Sequence, residues 1–357
     1  MNRPPYVLVL AGGSGERFWP LSRKTRPKQL LSLFGGESLL GQTVARLEGF
    51  VPAENVLVLT NAEQEAGVRA LGLPIPAENI LAEPSKRDTA PAIALGVGWV
   101  AARDPKATML VLPADHLIRD RAAFQRTLGL AVEAAEQTGE LVTIGIQPTW
   151  ACPSFGYVEQ GGRVELSGAA ADGPVYEVRR FREKPSAEVA AEFLKQGNFR
   201  WNAGIFAWTL AAVRRGFMKH APELEEFIQG WPQGGDVRGW LAQVFPTLPK
   251  ISVDYALLEK AGRVLMVEAG FDWDDVGSWT ALGKYLPGDT EGNAANCPLH
   301  VLEAGGNLVF SEQKTTVTLL GVSDLIVVQT GDALLVCSRK DAEKVKHLLP
   351  QLPAELL

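Results

Sequence analysis

After a short apolar run, residues 10–29 read LAGGSGERFWPLSRKTRPKQ. Leu10 and Ala11 lead into Gly12, Gly13 and Gly15, residues that permit positive φ and close backbone approach. Consecutive amide N–H groups in such a turn can point inward and cradle phosphate oxygens. Over the same stretch Arg17, Arg23, Lys24, Arg26 and Lys28 face a single acid, Glu16. The whole chain has a net charge of −6, so this local reversal of sign points to a polyanionic ligand. The Walker pattern GxxxxGKS/T is absent, and Phe18 stands where GxGxxG needs its third glycine. On glycines and charges alone, a flexible turn flanked by solvated cations is the bland alternative.

The order of residues narrows the choice. A Gly-rich turn, an Arg and then Pro-Lys resembles the signature of the sugar-1-phosphate nucleotidyltransferases. Phe18-Trp-Pro-Leu-Ser-Arg23 with Pro27-Lys28-Gln29 is particularly close to the mannose-1-phosphate guanylyltransferases among them. The resemblance assigns Leu10, Ala11, Gly12, Gly13 and Gly15 to the nucleotide and puts Arg17 and Lys28 on its triphosphate. Further segments match in the same order and together span nearly the whole chain. Glu83-Pro-Ser-Lys-Arg-Asp-Thr-Ala-Pro91 corresponds to the loop that reads the base, which implicates Glu83, Asp88 and Thr89. Guanine suits an acid there, because its N1–H and N2–H₂ are adjacent donors that one carboxylate can accept together. The family usually carries Asn where this chain has Asp88, and an acid favoured by a helix N-terminus also accounts for that residue.

The resemblance also implies a magnesium site, made by Asp115 of Leu110-Val-Leu-Pro-Ala-Asp-His116 and by Asp275 of Phe271-Asp-Trp-Asp-Asp-Val-Gly-Ser-Trp279. Two carboxylates are sufficient for Mg²⁺, which keeps waters and substrate phosphates as its other ligands. Spacing alone leaves Asp272 and Asp274 open as alternatives and allows Asp115 to be a helix cap. On the sugar side, Phe155-Gly-Tyr157, Glu183-Lys-Pro185, Trp201-Asn-Ala-Gly-Ile205 and Ser252-Val-Asp-Tyr-Ala256 match in turn. They imply Gly156, Glu183, Asn202 and Asp254 around the sugar and Lys184 on its phosphate. The expected substrates are GTP and mannose 1-phosphate, joined by in-line displacement. Another sugar 1-phosphate is the alternative within the class. A catalytically silent sugar-nucleotide-binding regulator is the alternative outside it, disfavoured because Arg17, Lys28, Asp115 and Asp275 are all present.

The elements that must position these residues alternate. Residues 6–11, 55–60, 108–113 and 141–146 read as buried strands. Residues 38–47, 62–71, 89–103 and 120–138 have helical spacing. Such alternation implies βαβ units, a parallel sheet covered on both faces, and ligands at the carboxyl ends of the strands. From residue 155 the pattern is mixed: strands over 156–159, 175–181 and 201–208, helices over 187–195 and 210–219, and a loop over 231–250. The fold class expected is α/β, a Rossmann-like nucleotidyltransferase domain with a mixed, mostly parallel central sheet, over residues 1–288. Residues 289–357 resemble the short left-handed β-helix segment that follows the catalytic domain in bacterial guanylyltransferases. Strands are expected there at 307–310, 315–320 and 324–329, followed by a terminal helix. Ser338-Arg-Lys-Asp341 resembles a capping box, and Ala342, Val345, Leu348 and Leu349 form one apolar face. That face is expected to pack on the chain's own core, with a homodimer contact as the second reading. No clear internal repeat is evident, and the fused isomerase domain of longer relatives is not expected.

Composition is consistent with this. Apolar residues make up 46% of the 357 and charged residues 21%, an ordinary globular balance. Cys152, Cys297 and Cys337 are too few and scattered for a disulfide framework, and the four histidines are far apart, which argues against structural zinc. No apolar stretch is long enough to span a bilayer, and the first runs into charge too early for a signal peptide. The acidic balance argues against nucleic-acid binding. A cytoplasmic enzyme with no membrane or nucleic-acid partner is expected.

Overall fold

The computed structural model describes residues 3–171 and 173–357. The four expected strands are β1 (Tyr6–Leu10), β2 (Val56–Asn61), β4 (Thr108–Pro113) and β5 (Leu141–Ile146), with β3 (Ile80–Glu83) between β2 and β4 in the chain. Helices α1 (Leu39–Ala45), α2 (Glu65–Ala70), α3 (Thr89–Ala101) and α4 (Arg121–Thr138) connect them. Beyond these, β6 (Tyr157–Arg163), β7 (Val175–Arg182), β8 (Phe199–Thr209) and β9 (Val264–Glu268) complete a nine-stranded sheet of order β3-β2-β1-β4-β8-β5-β9-β7-β6. It is mixed: β7 and β8 run against their neighbours, and β8 inserts antiparallel between β4 and β5.

Alternation along each strand sorts the core into two faces. Val7, Val9, Val56, Val58, Leu110 and Leu112 pack with α1 and α4 through Leu40, Val44, Phe124 and Leu128. Leu8, Leu57, Leu59, Met109 and Val111 pack on the other face against α3, whose residues from Ala90 to Val100 are nearly all buried. That second face also takes α6 (Leu210–His220), which follows α5 (Ala187–Gln196), and α7 (Pro222–Gln229). The region expected as a loop at 231–250 contains α8 (Val237–Val244), capped by Asp236, whose carboxylate accepts from Gly239 N at 2.9 Å. The glycines and prolines just before it hid the helix. Among the described residues, no helix is long and apolar enough to cross a membrane.

After α9 (Trp279–Gly283) the chain coils. Strand β10 (Ala294–Ala295) pairs in parallel with β12 (Leu308–Ser311), and β12 with β14 (Leu325–Gln329). On a second side β11 (Leu299–Leu302) pairs in parallel with β13 (Val317–Leu320), and β15 (Leu334–Ser338) closes antiparallel on β14. This is a β-helix-like coil. Its corner is held by buried amides: Asn307 Nδ2 donates to Asn293 Oδ1 at 2.8 Å, and Asn307 Oδ1 accepts from Leu325 N at 3.0 Å. The recurring Gly-Asn at 292–293 and 306–307 is therefore a structural repeat that sequence inspection overlooked.

The coil packs on the catalytic part through one apolar cluster. Phe18, Trp19, Leu31 and Trp279 meet Leu308, Phe310, Ile326, Ala342 and Val345. Ser338 makes no side-chain cap bond, so the expected capping box does not form. The terminal segment is a 3₁₀ turn, Arg339–Lys344, running into α10 (Val345–Leu348). Three cations of the glycine-rich loop pair with acids of the coil: Arg17 with Glu343 at 2.7 Å, Arg23 with Asp332 at 2.9 Å and Arg26 with Glu312 at 2.6 Å. The positive charge read as a polyanion site is thus partly an intrachain docking surface, and Arg23 and Arg26 are engaged there.

Candidate active site

The carboxyl ends of β1, β3 and β4 and the amino-terminal half of the reversed strand β8 open into a cavity of about 610 Å³. Its lining includes Leu10, Gly12, Gly13, Glu83, Asp88, Thr89, Asp115, Gly156, Glu183, Lys184, Asn202, Asp254 and Asp275. A second cavity of about 350 Å³ adjoins it, lined by Gly15, Arg17 and Lys28, and the two share Ser14, Asp115, His116 and Asp275. Residues from eight separated segments thus meet in one cleft. Of the residues to which the resemblance assigns a role, only Ala11 lines neither cavity. It is 1% exposed, and its carbonyl is tied to Gln29 and Thr60.

The loop presents its amide edge because its carbonyl edge is pinned. Gln29 Nε2 donates to the carbonyls of Ala11 (2.7 Å) and Gly13 (3.0 Å), Gln64 Nε2 to Gly13 (3.1 Å) and Asn61 Nδ2 to Gly12 (3.3 Å). Among the described residues, no protein acceptor meets the N–H groups of Gly12, Gly13, Ser14 or Gly15. Four free donors in a row beside a cavity suit an anion. The amide side chains of Gln29, Asn61 and Gln64 are buried, and sequence inspection gave them no role. Of the three glycines only Gly15 adopts positive φ, 62°, where an added Cβ would lie 2.5 Å from Lys28 Cβ.

Lys28 sits at the centre, 5% exposed. Its ammonium donates to Asp115 Oδ2 at 2.8 Å and to the Asp275 carbonyl. Burial alone would raise the Asp115 carboxyl, but the Lys28 charge and hydrogen bond hold it below its ordinary value. Burial pushes Asp275 up to about 6, only partly countered by Lys28. The alternatives left open by spacing are spent elsewhere. Asp272 accepts from the N–H groups of Arg119 and Asp120, and Asp274 from Val276 N and Tyr285 OH. Nor is Asp115 a helix cap, since Asp120 caps α4. His116, also unassigned from the sequence, accepts from Trp273 Nε1 at 3.0 Å on Nδ1, which leaves Nε2 to carry the neutral ring's proton.

In the wall of the larger cavity Glu83 is 8% exposed, and burial pushes its carboxyl up to about 7. Asp88 is the N-cap of α3, with φ 70°, and its carboxylate accepts from Thr89 N at 2.7 Å. The helix-cap reading of Asp88 therefore holds, although the residue also borders the cavity. Thr89 Oγ1 accepts from Val253 N at 2.9 Å, tying this loop to the segment before Asp254.

In the same cavity, Lys184 pairs with Glu183 at 2.8 Å, and Asn202 Nδ2 donates to Asp254 Oδ1 at 3.2 Å. Burial, with the nearby Glu183, pushes Asp254 up to about 7. Gly156 is required here by close approach, since a Cβ would lie 2.4 Å from Glu183 Oε2. Acids, the Asn202 amide and a lysine–carboxylate knot lining joined cavities beside a row of free backbone donors suit a polar ligand that carries phosphates.

Residues 6–291 match the Nucleotidyl transferase family, and residues 300–352 match the MannoseP isomerase/GMP-like beta-helix domain. A mannose-1-phosphate guanylyltransferase of Escherichia coli K12 is 36% identical over 98% of this chain and 74% of its own length. The alginate biosynthesis protein AlgA of Pseudomonas aeruginosa is 34% identical over 98% of this chain and 72% of its own. A crystal structure from Thermus thermophilus, described as a mannose-1-phosphate geranyltransferase, superposes with a TM-score of 0.86 at 38% identity, covering 98% of this chain and 99% of that one. The chain belongs to the nucleotidyl transferase family and, within it, to the group of the mannose-1-phosphate guanylyltransferases.

Proposed function

We propose that this enzyme transfers GMP from GTP to mannose 1-phosphate, giving GDP-mannose and pyrophosphate. The observation that carries the reading is the continuity of the cleft. Glu83, the group Glu183, Asn202 and Asp254, and a row of free amides line one pair of joined cavities. Glu83 as a carboxylate accepts from guanine N1–H and N2–H₂. Asn202, Glu183 and Asp254 bind mannose hydroxyls, and Lys184 neutralises the sugar phosphate.

A phosphate oxygen of mannose 1-phosphate attacks the α-phosphorus of GTP. One new P–O bond forms, and the bond from the α-phosphorus to the bridging oxygen of the β-phosphate breaks, so pyrophosphate leaves. The nucleophile is already anionic near neutral pH, so no general base and no covalent enzyme intermediate are needed. The protein's work is to orient two mutually repelling anions and to spread their charge. The amides of Gly12 to Gly15 bind phosphate oxygens, while Arg17 and Lys28 take up charge on the departing pyrophosphate. Hydrogen bonds to charged groups contribute roughly 1.5–3 kcal/mol each.

A divalent ion, expected to be Mg²⁺, would be held by Asp115 and Asp275. The fit rests on their oxygen donors and on the Lys28 ammonium, which occupies a cation position against both residues. When bound, the ion supplies neutralisation of phosphate charge. The free thiols of Cys152, Cys297 and Cys337 suit the reducing cytoplasm as the place of reaction.

The test is pyrophosphate release with four nucleoside triphosphates crossed against several sugar 1-phosphates, with and without EDTA. GTP with mannose 1-phosphate should give the highest kcat/KM, abolished by EDTA. A higher value for another sugar would keep nucleotidyl transfer and reject mannose. No release with any pair would reject the enzyme.

A further inference from the structure

The smaller cavity has a wall that the catalytic part does not supply. Beside Ser14, Gly15, Arg17 and Lys28 stands Lys346, carried by α10 at the end of the β-helix-like coil. Val345 anchors that helix in the cluster with Phe18, and Trp19 Nε1 donates to the Leu356 carbonyl at 2.8 Å. The position of Lys346 against the loop is thus fixed from both sides. Lys346 is half-buried and, among the described residues, makes no ion pair, whereas Lys344 pairs with Asp341 at 2.8 Å. A half-buried cation facing a cavity without a partner calls for an anion.

In-line chemistry identifies which anion. Lys184 and the sugar-binding side chains lie in the larger cavity, so the attacking phosphate approaches the shared residues Asp115 and Asp275 from that side. The leaving group must depart on the opposite side, which is the smaller cavity. From the geometry we infer that Lys346 binds the departing pyrophosphate, so that the C-terminal coil completes the active site. This rests on the proposed function. Glu343, one turn earlier, pairs with Arg17 at 2.7 Å in an exposed contact. Such a pair is weak enough to be exchanged for phosphate. Glu343 therefore competes with the triphosphate for Arg17.

The test uses Lys346→Gln, Lys346→Arg and Glu343→Gln in the full chain. Two quantities are measured: the KM for pyrophosphate in the reverse reaction, and the Kd for inorganic pyrophosphate with Mg²⁺ by calorimetry. Lys346→Gln should raise both about tenfold, with an unchanged KM for mannose 1-phosphate and an unchanged unfolding temperature. Lys346→Arg should restore most of the affinity. Glu343→Gln should shift both constants the other way, toward tighter binding. Wild-type pyrophosphate affinity in Lys346→Gln would overturn the inference. So would a loss accompanied by an equal rise in the KM for mannose 1-phosphate and a lower unfolding temperature, which would mark a merely structural residue. If the unaltered protein transfers no nucleotide at all, the proposed function fails instead, and calorimetry still decides the pyrophosphate site.

Discussion

Replacing Glu83 by Gln separates what this residue costs the fold from what it contributes to recognition. In the free protein burial raises its carboxyl from 4.5 to about 7. The sign follows from linkage: an acid with a raised folded-state pKa contributes stability that is fully present below the unfolded value and lost as pH rises through the folded one. Above pH 7 the protein therefore holds a buried carboxylate that opposes folding by about 3 kcal/mol, at 1.36 kcal/mol per pKa unit. Glutamine has nearly the same shape and no charge. Glu83→Gln should be more stable than the parent at pH 8 by up to about 3 kcal/mol, with the difference shrinking toward zero near pH 4.5. Urea unfolding of both proteins without nucleotide, at several pH values between 5 and 8, measures this directly. Recognition should move the other way. A carboxamide offers guanine one acceptor and one misplaced donor, so the KM for GTP should rise about 10- to 100-fold and the preference over other bases should collapse. In the parent, the affinity for GTP should fall as pH drops below about 7, because only the ionised acid accepts both donors. A variant that is less stable at pH 8, or whose stability gap is independent of pH, would refute the burial argument. An intact GTP preference would remove Glu83 from base recognition.

Three other outcomes follow from the geometry. Gly156→Ala places a methyl 2.4 Å from Glu183 Oε2, so steady-state kinetics should show a KM for mannose 1-phosphate raised about tenfold and little change in that for GTP. Asp115→Asn should lower turnover by at least about 10²-fold and also lower stability, since it leaves the buried Lys28 ammonium without its charged partner; normal turnover would exclude it from the metal site. In the coil, Asn307→Leu strips Leu325 N of its side-chain acceptor and Asn293 Oδ1 of one of its two donors, and denaturant unfolding should record a loss of about 2–3 kcal/mol.

Much of the catalytic fold was legible because its strands are unbroken apolar runs, as in Val56 to Leu59 and Met109 to Leu112, flanked by helices with clear caps such as Asp120. The reversed strand β8 was legible as a strand but not in its direction, because a run such as Gly204 to Trp208 carries no sign of its neighbours. The motif residues converge on one cleft, since several of them, among them Gly12, Glu83 and Asp115, lie at or just beyond the carboxyl end of a parallel strand. What supports them was not legible. Gln29, Asn61 and Gln64 look like ordinary surface amides until the carbonyls they pin are seen. Arg23 and Arg26 looked like ligand contacts because Asp332 and Glu312 lie some three hundred residues away. Lys346 carries no motif at all, and its position depends on the coil folding back onto Phe18. Ser338 had the spacing of a capping box, but the turn after it is 3₁₀, and no cap bond forms.

The central claim is that one cleft holds a guanine at Glu83, a mannose at Glu183, Asn202 and Asp254, and the phosphates between them beside Asp115 and Asp275. A crystal structure with GDP-mannose and Mg²⁺ tests it most directly. The account predicts that the two heads lie on those two sets of residues, with the ion on Asp115 and Asp275. A sugar nucleotide bound with base and sugar exchanged, or outside the two joined cavities, would contradict it.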